Sequence, residues 1–129
     1  MRQQTRGQGF TLIELLVVVA IIGILSAIGV VSYGKYKSSV EKKQAEISLN
    51  SIYLTEQEYK SNNGEYYYNA LTSNLVTNLF DGIDDLSEQA YSYKTTNANT
   101  LSIIATNKKN SSCTITITEK NKKADRKGC

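Results

Sequence analysis

The chain has 129 residues, with 15 basic and 12 acidic side chains and a formal net charge of +3. It contains no His, no Trp and no Pro. The lack of His removes the commonest general base and metal ligand, and no nucleophile–base pair, metal-ligand spacing or phosphate loop stands in its place. The composition therefore argues against an enzyme and against a resident metal or cofactor, and the length indicates about one domain.

A long apolar stretch follows a short basic leader. Residues 1–9 carry Arg2 and Arg6, and residues 10–31 are mostly apolar. As a helix this stretch would be roughly 33 Å long, enough to span a bilayer. The two arginines favour a cytoplasmic N-terminus. A secretory signal peptide would carry its small-residue site after the apolar stretch, but Gly7-Gln8-Gly9 lies before it. A plain membrane anchor and a buried soluble helix remain as alternatives.

Glu14 is an acidic residue near the start of this apolar stretch. An ionised carboxylate in hydrocarbon costs a few kcal/mol or more, so such a residue calls for a partner or a function. The alternative is a carboxylate near the membrane surface that only reaches water.

The order Gly9, Phe10, Thr11, Leu12, Ile13, Glu14 and then a long apolar helix resembles the prepilin signature of type IV pilins. The resemblance is close over residues 1–50 and extends to the rest in layout only. It implies that prepilin peptidase cuts after Gly9 and methylates the amine of Phe10. It also implies that Glu14 pairs with the methylated amine of a neighbouring subunit in a helical homo-oligomeric filament.

The chain departs from the family pattern in one place. Many family members have Pro where this chain has Val31. We expect any bending or melting of the helix to depend on Gly23 and Gly29, since each glycine costs up to about 1 kcal/mol in a helix interior.

The layout predicts an α+β fold, with a long N-terminal helix packed on a small antiparallel sheet. The helix has a membrane or fibre-core half, 10–31, and an amphipathic half, 32–60, in which Ala45, Leu49 and Ile52 recur at helical spacing. A connecting loop, 61–89, with a short helix at 71–79, and a sheet region, 90–129, follow. We expect three strands, Ala90–Thr96, Leu101–Thr106 and Cys113–Lys120, with turns at 97–99 and 107–112.

Cys113 and Cys129 are the two cysteines. If the part after the apolar stretch is exported, an oxidising compartment favours a disulfide between them. Such a bridge resembles the C-terminal disulfide of type IV pilins and would stabilise the fold by about 3 kcal/mol in the loop-entropy model. Major secretion pseudopilins generally lack it, so the pair favours a pilin. The alternative is two free thiols.

The bridged region is strongly basic. From Lys108 to the end there are seven basic and two acidic residues, and residues 56–88 hold seven acids and one Lys. The basic residues in question are Lys120, Lys122, Lys123, Arg126 and Lys127. They are candidates for contact with DNA phosphates, which is salt-sensitive and sequence-blind. The alternatives are a solvated charge run and pairing with the acidic 56–88 region of the next subunit.

A small acidic cluster, Asp81, Asp84 and Asp85, fits no metal-ligand template, and we interpret it as a solvated turn rather than a calcium site. The sequence thus predicts a non-enzymatic structural subunit of a type IV pilus, made in the bacterial inner membrane and exported into an extracellular fibre. Adhesion, twitching motility and DNA uptake are the fibre functions known in the family. The alternatives are a minor pilin, a pseudopilin of a type II secretion or competence system, and a DNA-binding pilin.

Overall fold

The structure is a computed structural model that describes residues 9–68, 70–96 and 99–129. Within these ranges the chain forms two helices and four strands. Their bounds are Leu12–Asn63 for α1, Thr72–Leu79 for α2, Tyr91–Thr96 for β1, Ser102–Asn107 for β2, Thr114–Thr118 for β3 and Asp125–Lys127 for β4. The predicted leader apart from Gly9, and the predicted turn residues Asn97 and Ala98, lie outside the described residues.

The chain divides into an N-terminal unit that ends at Ser38 and a C-terminal unit, Ser39–Cys129. The described part of the N-terminal unit is mostly helical, and its residues 10–31 are mostly apolar. Its least exposed large apolar side chains, Val17, Val18 and Ile21, are each 52% exposed. A helix that is apolar all round suits lipid or other helices rather than water. Helix α1 is also the one helix among the described residues that is long and apolar enough to cross a membrane.

The core of the C-terminal unit forms between the amphipathic part of α1 and one face of the sheet. Ala45, Leu49 and Ile52 lie on one side of the helix and are at most 1% exposed. The sheet contributes the alternate residues of its strands, because successive side chains of a strand point to opposite faces. These are Tyr91, Tyr93, Ile103, Ala105, Ile115 and Ile117. The predicted α+β packing is confirmed.

Helix α1 ends three residues later than predicted, at Asn63. Gly64 follows with φ +85°, and its N–H donates to the carbonyl of Lys60 at 2.7 Å. A glycine in this left-handed conformation is a common helix C-terminus, because it satisfies one of the last free carbonyls without a Cβ clash.

The sheet is an antiparallel meander in the order β1-β2-β3-β4. Its register aligns Tyr93 with Ala105, Ala105 with Ile115, and Ile115 with Arg126. The prediction of three strands was short by one. The missed strand, β4, is three charged residues long, and all three are exposed residues, so it has no alternation that sequence patterns could reveal.

The segment between α1 and α2 is hydrogen-bonded to β1. Thr95 Oγ1 donates to the carbonyl of Tyr67 at 3.0 Å, and the Thr95 N–H donates to the carbonyl of Ala70 at 3.0 Å. Thr95 is fully buried, and these bonds satisfy its hydroxyl and amide groups. The short helix predicted at 71–79 is confirmed as α2.

Candidate assembly site

Thr11 and Glu14 cap the start of helix α1 reciprocally. The Glu14 N–H donates to Thr11 Oγ1 at 3.3 Å, and the Thr11 N–H donates to Glu14 Oε2 at 3.0 Å. This is a capping box, which satisfies two of the amide groups that a helix start leaves free. In the single chain the Glu14 carboxylate therefore already has a local role. This capping role was not predicted from the sequence, although the T-x-x-E spacing before an apolar run is its known signal.

The predicted processing residues lie immediately before the helix. Gly9 and Phe10 are outside α1, and the Phe10 side chain is 94% exposed. Phe10, Ile13, Val17 and Val18 line a shallow apolar surface depression together with Glu14. The candidate processing and assembly residues thus form one short patch at the helix start.

Gly23 and Gly29 are both helical in the structure. A Cβ built at either position meets no atom within 4 Å. Steric crowding within a single chain therefore does not require glycine at these positions, and their role in helix flexibility stays a prediction.

Cys113 and Cys129 form the expected disulfide. Cys113 is 3% exposed, and its Sγ lies 3.2 Å from the hydroxyl of the buried Tyr91. Gly128 has φ +67°, and a Cβ built there would lie 2.0 Å from the carbonyl oxygen of Ser112. The residue before the bridged terminus therefore has to be glycine for the chain end to pass so close to the backbone at Ser112.

Arg126, one of the five basic candidates, binds the helix instead of facing solvent freely. Its Nε and Nη2 lie 2.7 Å and 2.6 Å from Glu46 Oε1. The other carboxylate oxygen, Oε2, lies 3.3 Å from Lys43 Nζ. Partial burial raises the pKa of Glu46, but the hydrogen bonds from Arg126 and Lys43 outweigh it and hold the pKa below its ordinary value.

Of the other four basic candidates, one lies near an aromatic ring and three are exposed without an ion pair among the described residues. Lys122 Nζ lies 5.7 Å from the centroid of the Tyr53 ring, within cation–π range. Lys120, Lys123 and Lys127 are exposed, and no ion pair joins them to another described residue. The predicted DNA-contact surface is therefore reduced to three lysines, with Lys122 partly engaged.

In the acidic cluster, Asp84 Oδ1 accepts the N–H of Ser87 at 2.8 Å. This hydrogen bond lowers the pKa of the Asp84 carboxyl. Among the described residues no group of three or more His, Cys, Asp or Glu is placed to hold a metal ion.

Glu56 is a buried acid that was not predicted from the sequence. It is fully buried in α1, its Oε2 accepts the N–H of Tyr67 at 2.8 Å, and its Oε1 has no hydrogen-bond partner in the described part of the chain. Burial raises the pKa of Glu56 to about 7, against the opposing effect of the Tyr67 bond. The signal was available, because Glu56 continues the spacing of Leu49 and Ile52 on the buried side of the helix.

The start of the chain matches a family model and is similar to several known proteins. The prokaryotic N-terminal methylation motif matches residues 5–30. The chain is 38% identical over 65 residues to the type IV major pilin protein PilA of Myxococcus xanthus. It is 34% identical over 73 residues to a fimbrial protein of Neisseria meningitidis serogroup B, and 32% identical over 73 residues to the type IV major pilin protein PilE1 of Neisseria gonorrhoeae. Over about half of its length the chain is similar to type IV pilins.

The matched residues make up 50% of this chain in the first alignment and 57% in the other two. They span 30% of the Myxococcus protein, 43% of the meningococcal protein and 44% of the gonococcal one. The match thus spans less than half the length of these relatives. No solved structure matches the chain significantly.

Proposed function

We propose that this chain is a type IV pilin, the structural, non-catalytic subunit of a type IV pilus, and that it polymerises through helix α1 into an extracellular fibre. Residues 10–31 hold the precursor in the bacterial inner membrane, prepilin peptidase cleaves after Gly9 and methylates Phe10, and the inner-membrane assembly machinery builds the filament. The fibre serves adhesion, twitching motility or DNA uptake, which are the family's known roles.

One observation carries this proposal. The methylation motif at residues 5–30 leads into a helix whose large apolar side chains from Leu12 to Val31 are all at least 52% exposed. Removing apolar surface from water contributes roughly 25 cal/mol per Å². A membrane supplies that cover before assembly, and the helices of other subunits supply it in the fibre.

Glu14 sets the register between subunits in this proposal. Its capping bond to the Thr11 N–H neutralises no charge. When the helix enters a dry fibre core, the carboxylate therefore needs a cation. The methylated amine of Phe10 in a neighbouring subunit provides this cation, and the pairing favours one axial position of the two subunits relative to each other.

The disulfide supports the choice of a pilus subunit over a secretion pseudopilin. Cys113 and Cys129 are joined, a feature that the major pseudopilins generally lack. The relatives named as major pilins support a major rather than a minor subunit. A minor pilin or a pseudopilin would be a trace component of sheared fibres.

The test replaces Glu14 by Gln and by Ala in cells that assemble the fibre. Gln keeps a capping box but has no charge, whereas Ala loses both. We expect both variants to insert into the membrane and both to lower the yield of sheared fibre by roughly tenfold or more, since breaking one side of a buried ion pair costs a few kcal/mol.

Thr11→Ser is the matched control, because it keeps the hydroxyl that accepts the Glu14 N–H. Its fibres should form normally. Normal fibres from Glu14→Gln would show that the charge is not needed, and the proposed pairing would then be wrong.

A further inference from the structure

The C-terminal unit presents two exposed segments of opposite charge. We call residues 120–127 the basic segment, and its free lysines are Lys120, Lys123 and Lys127, with Lys122 held near Tyr53. We call residues 81–88 the acidic segment, and its exposed acids are Asp81, Asp84, Asp85 and Glu88. Within the described residues neither set makes an ion pair with the other.

The two segments lie at opposite edges of the sheet. The acidic segment leads into β1, which is one edge strand, and the basic segment contains β4, which is the other. Their separation follows from the strand order β1-β2-β3-β4, which puts two strands between them.

The contacts that the basic and acidic segments make with helix α1 independently show that the two segments lie apart. Arg126 and Lys122 of the basic segment contact Glu46 and Tyr53, which are seven residues apart and so lie on one side of the helix. Gln89, next to the acidic segment, accepts a hydrogen bond from the Ser48 hydroxyl at 2.9 Å. Ser48 lies two residues after Glu46, which is about 200° around the helix. The segments therefore flank α1 on opposite sides.

An exposed apolar row on α1 lies between the two flanks. Val40, Ile47 and Leu54 are seven residues apart and are 46%, 66% and 68% exposed. At about 100° per residue they lie on the side of the helix away from the core residues Leu49 and Ile52. Around the helix the order is thus core, basic flank, apolar row and acidic flank.

We propose that the basic segment of one copy docks on the acidic segment of the next copy, so that neighbouring C-terminal units bind one another side by side. This inference rests on the proposed function as a fibre subunit. A surface that is complementary to a different surface of the same chain makes a heterologous contact, which produces an open helical assembly when it does not close into a ring. Opposite charges on the two flanks also penalise the reversed orientation, because it would place like charges together.

Charge complementarity within the chain favours a second copy over DNA as the occupant. Arg126 is neutralised by Glu46, which leaves the basic segment with few free cations for a phosphate backbone. No aromatic residue lies within residues 120–127 to stack on bases. The exposed acids of the acidic segment would repel a phosphate backbone.

The first test uses a carbodiimide on intact sheared fibres. The reagent condenses a lysine amine with a carboxyl group to form an amide, and takes up the oxygen of the lost water as a urea. Only groups in contact react, so links between copies appear in the dimer band of a denaturing gel. We expect that band to contain peptides that join Lys120, Lys123 or Lys127 to the acids of residues 81–88.

The structure supplies internal controls for this reaction. Lys43–Glu46 and Lys60–Glu119 are ion pairs within one chain, at 3.3 Å and 3.8 Å, so their links should appear in the monomer band. The control links show that the reaction has worked. If they appear but the dimer band is missing, or joins residues outside the two segments, the proposal is overturned.

The second test reverses charges in the full-length chain. Lys120→Glu with Lys123→Glu, and separately Asp85→Lys with Glu88→Lys, should each lower the fibre yield by roughly tenfold. All four changes together restore complementarity and should return the yield to within about twofold of the original. Lys94→Glu, at an exposed residue of β1 outside both segments, is the control and should leave the yield unchanged.

The outcomes separate this inference from the proposed function. If the unaltered chain forms fibres but the fourfold variant does not recover, the pairing is wrong while the fibre role stands. If the lysine variant forms normal fibres that retain less DNA, the basic segment faces DNA and the inference is overturned. If the unaltered chain is absent from fibres, the proposed function itself fails.

Discussion

Arg126 ties the end of the chain to the long helix through Glu46, with Nε and Nη2 both within 2.7 Å of one carboxylate oxygen. The two residues are 80 positions apart in sequence. The register of the sheet explains the contact, because Arg126 is paired with Ile115, whose side chain faces the core and the helix. The pair therefore fixes the short strand β4 against α1.

Loss of this pair should loosen the C-terminal segment measurably. Arg126→Ala should lower the stability of the chain in detergent micelles by about 1 kcal/mol, the upper end for a partly exposed ion pair. Thermal unfolding followed by near-ultraviolet circular dichroism measures the change. Lys127→Ala, at an exposed neighbour in the same strand, should have little effect, and equal losses from the two variants would contradict a specific role for Arg126.

The same pair should respond to acid. The folded-state pKa of Glu46 lies below its ordinary value of 4.5, so its contribution to stability is present above pH 4.5 and is lost as the pH falls through the lower folded value. Glu46→Gln should remove this part of the acid sensitivity. An unchanged acid-unfolding profile for that variant would mean that the pair does not contribute.

Glu56 should produce the opposite pH dependence near neutrality. Its folded pKa of about 7 exceeds the ordinary value of 4.5, so the folded chain binds the extra proton between these two values. Stability should then fall as the pH rises from 4.5 to 7 and level off above that, by roughly 3 kcal/mol in all. Burial of an ionised carboxylate with an unpaired oxygen is the physical cause.

Glu56→Gln tests this directly, because its side-chain oxygen retains an acceptor for the Tyr67 N–H and the amide does not ionise. Melting temperatures recorded between pH 5 and 7.5 should lose most of their slope in this variant. Glu58→Gln, at an exposed position of the same helix, should keep the slope of the unaltered chain. A slope that survives in Glu56→Gln would assign the titration to another group.

The disulfide and Gly128 should act together. Cys129→Ser removes the bridge to Cys113 and should cost about 3 kcal/mol in the chain-entropy account. Gly128→Ala should cost about 1–3 kcal/mol through backbone strain and steric overlap with Ser112. Chemical unfolding under non-reducing conditions measures both losses.

Gly64→Ala is the matched control for Gly128, since its φ is also positive but a Cβ there meets no atom within 4 Å. It should cost less than Gly128→Ala. Equal losses would show that the close approach to Ser112 does not matter.

Much of this fold could be predicted from the sequence, because apolar residues recur at helical spacing in α1 and at every second position in the strands. Leu49 and Ile52 mark the buried side of the helix, and the alternation around Ile115 and Ile117 marks β3. Cys113 and Cys129 could pair only with each other.

What the sequence did not reveal depends on contacts between distant residues. The Arg126–Glu46 pair exists because four strands bring residue 126 beside the helix, and no local pattern encodes that. Strand β4 is too short and too charged to alternate. Glu56 was missed for a different reason, since an acid at a core position contradicts the usual preference for apolar residues there.

Substitution of Gly23 and Gly29 should affect the isolated chain and the assembled fibre differently. Gly23→Ala and Gly29→Ala should leave membrane insertion intact and favour the helix by up to about 1 kcal/mol each, because neither Cβ meets an obstacle. If the helix must bend or melt on entering the fibre, these variants should lower the fibre yield. Full yields would show that assembly does not use the glycines.

The proposed function requires that this chain is processed and becomes the main component of a fibre. Intact mass spectrometry of fibres sheared from the native cell tests it most directly. We expect a dominant species that begins at N-methylated Phe10 and is two hydrogens lighter than the reduced chain, because of the Cys113–Cys129 bridge. Absence of this chain from the fibres, or a chain that still begins at Met1, would contradict it.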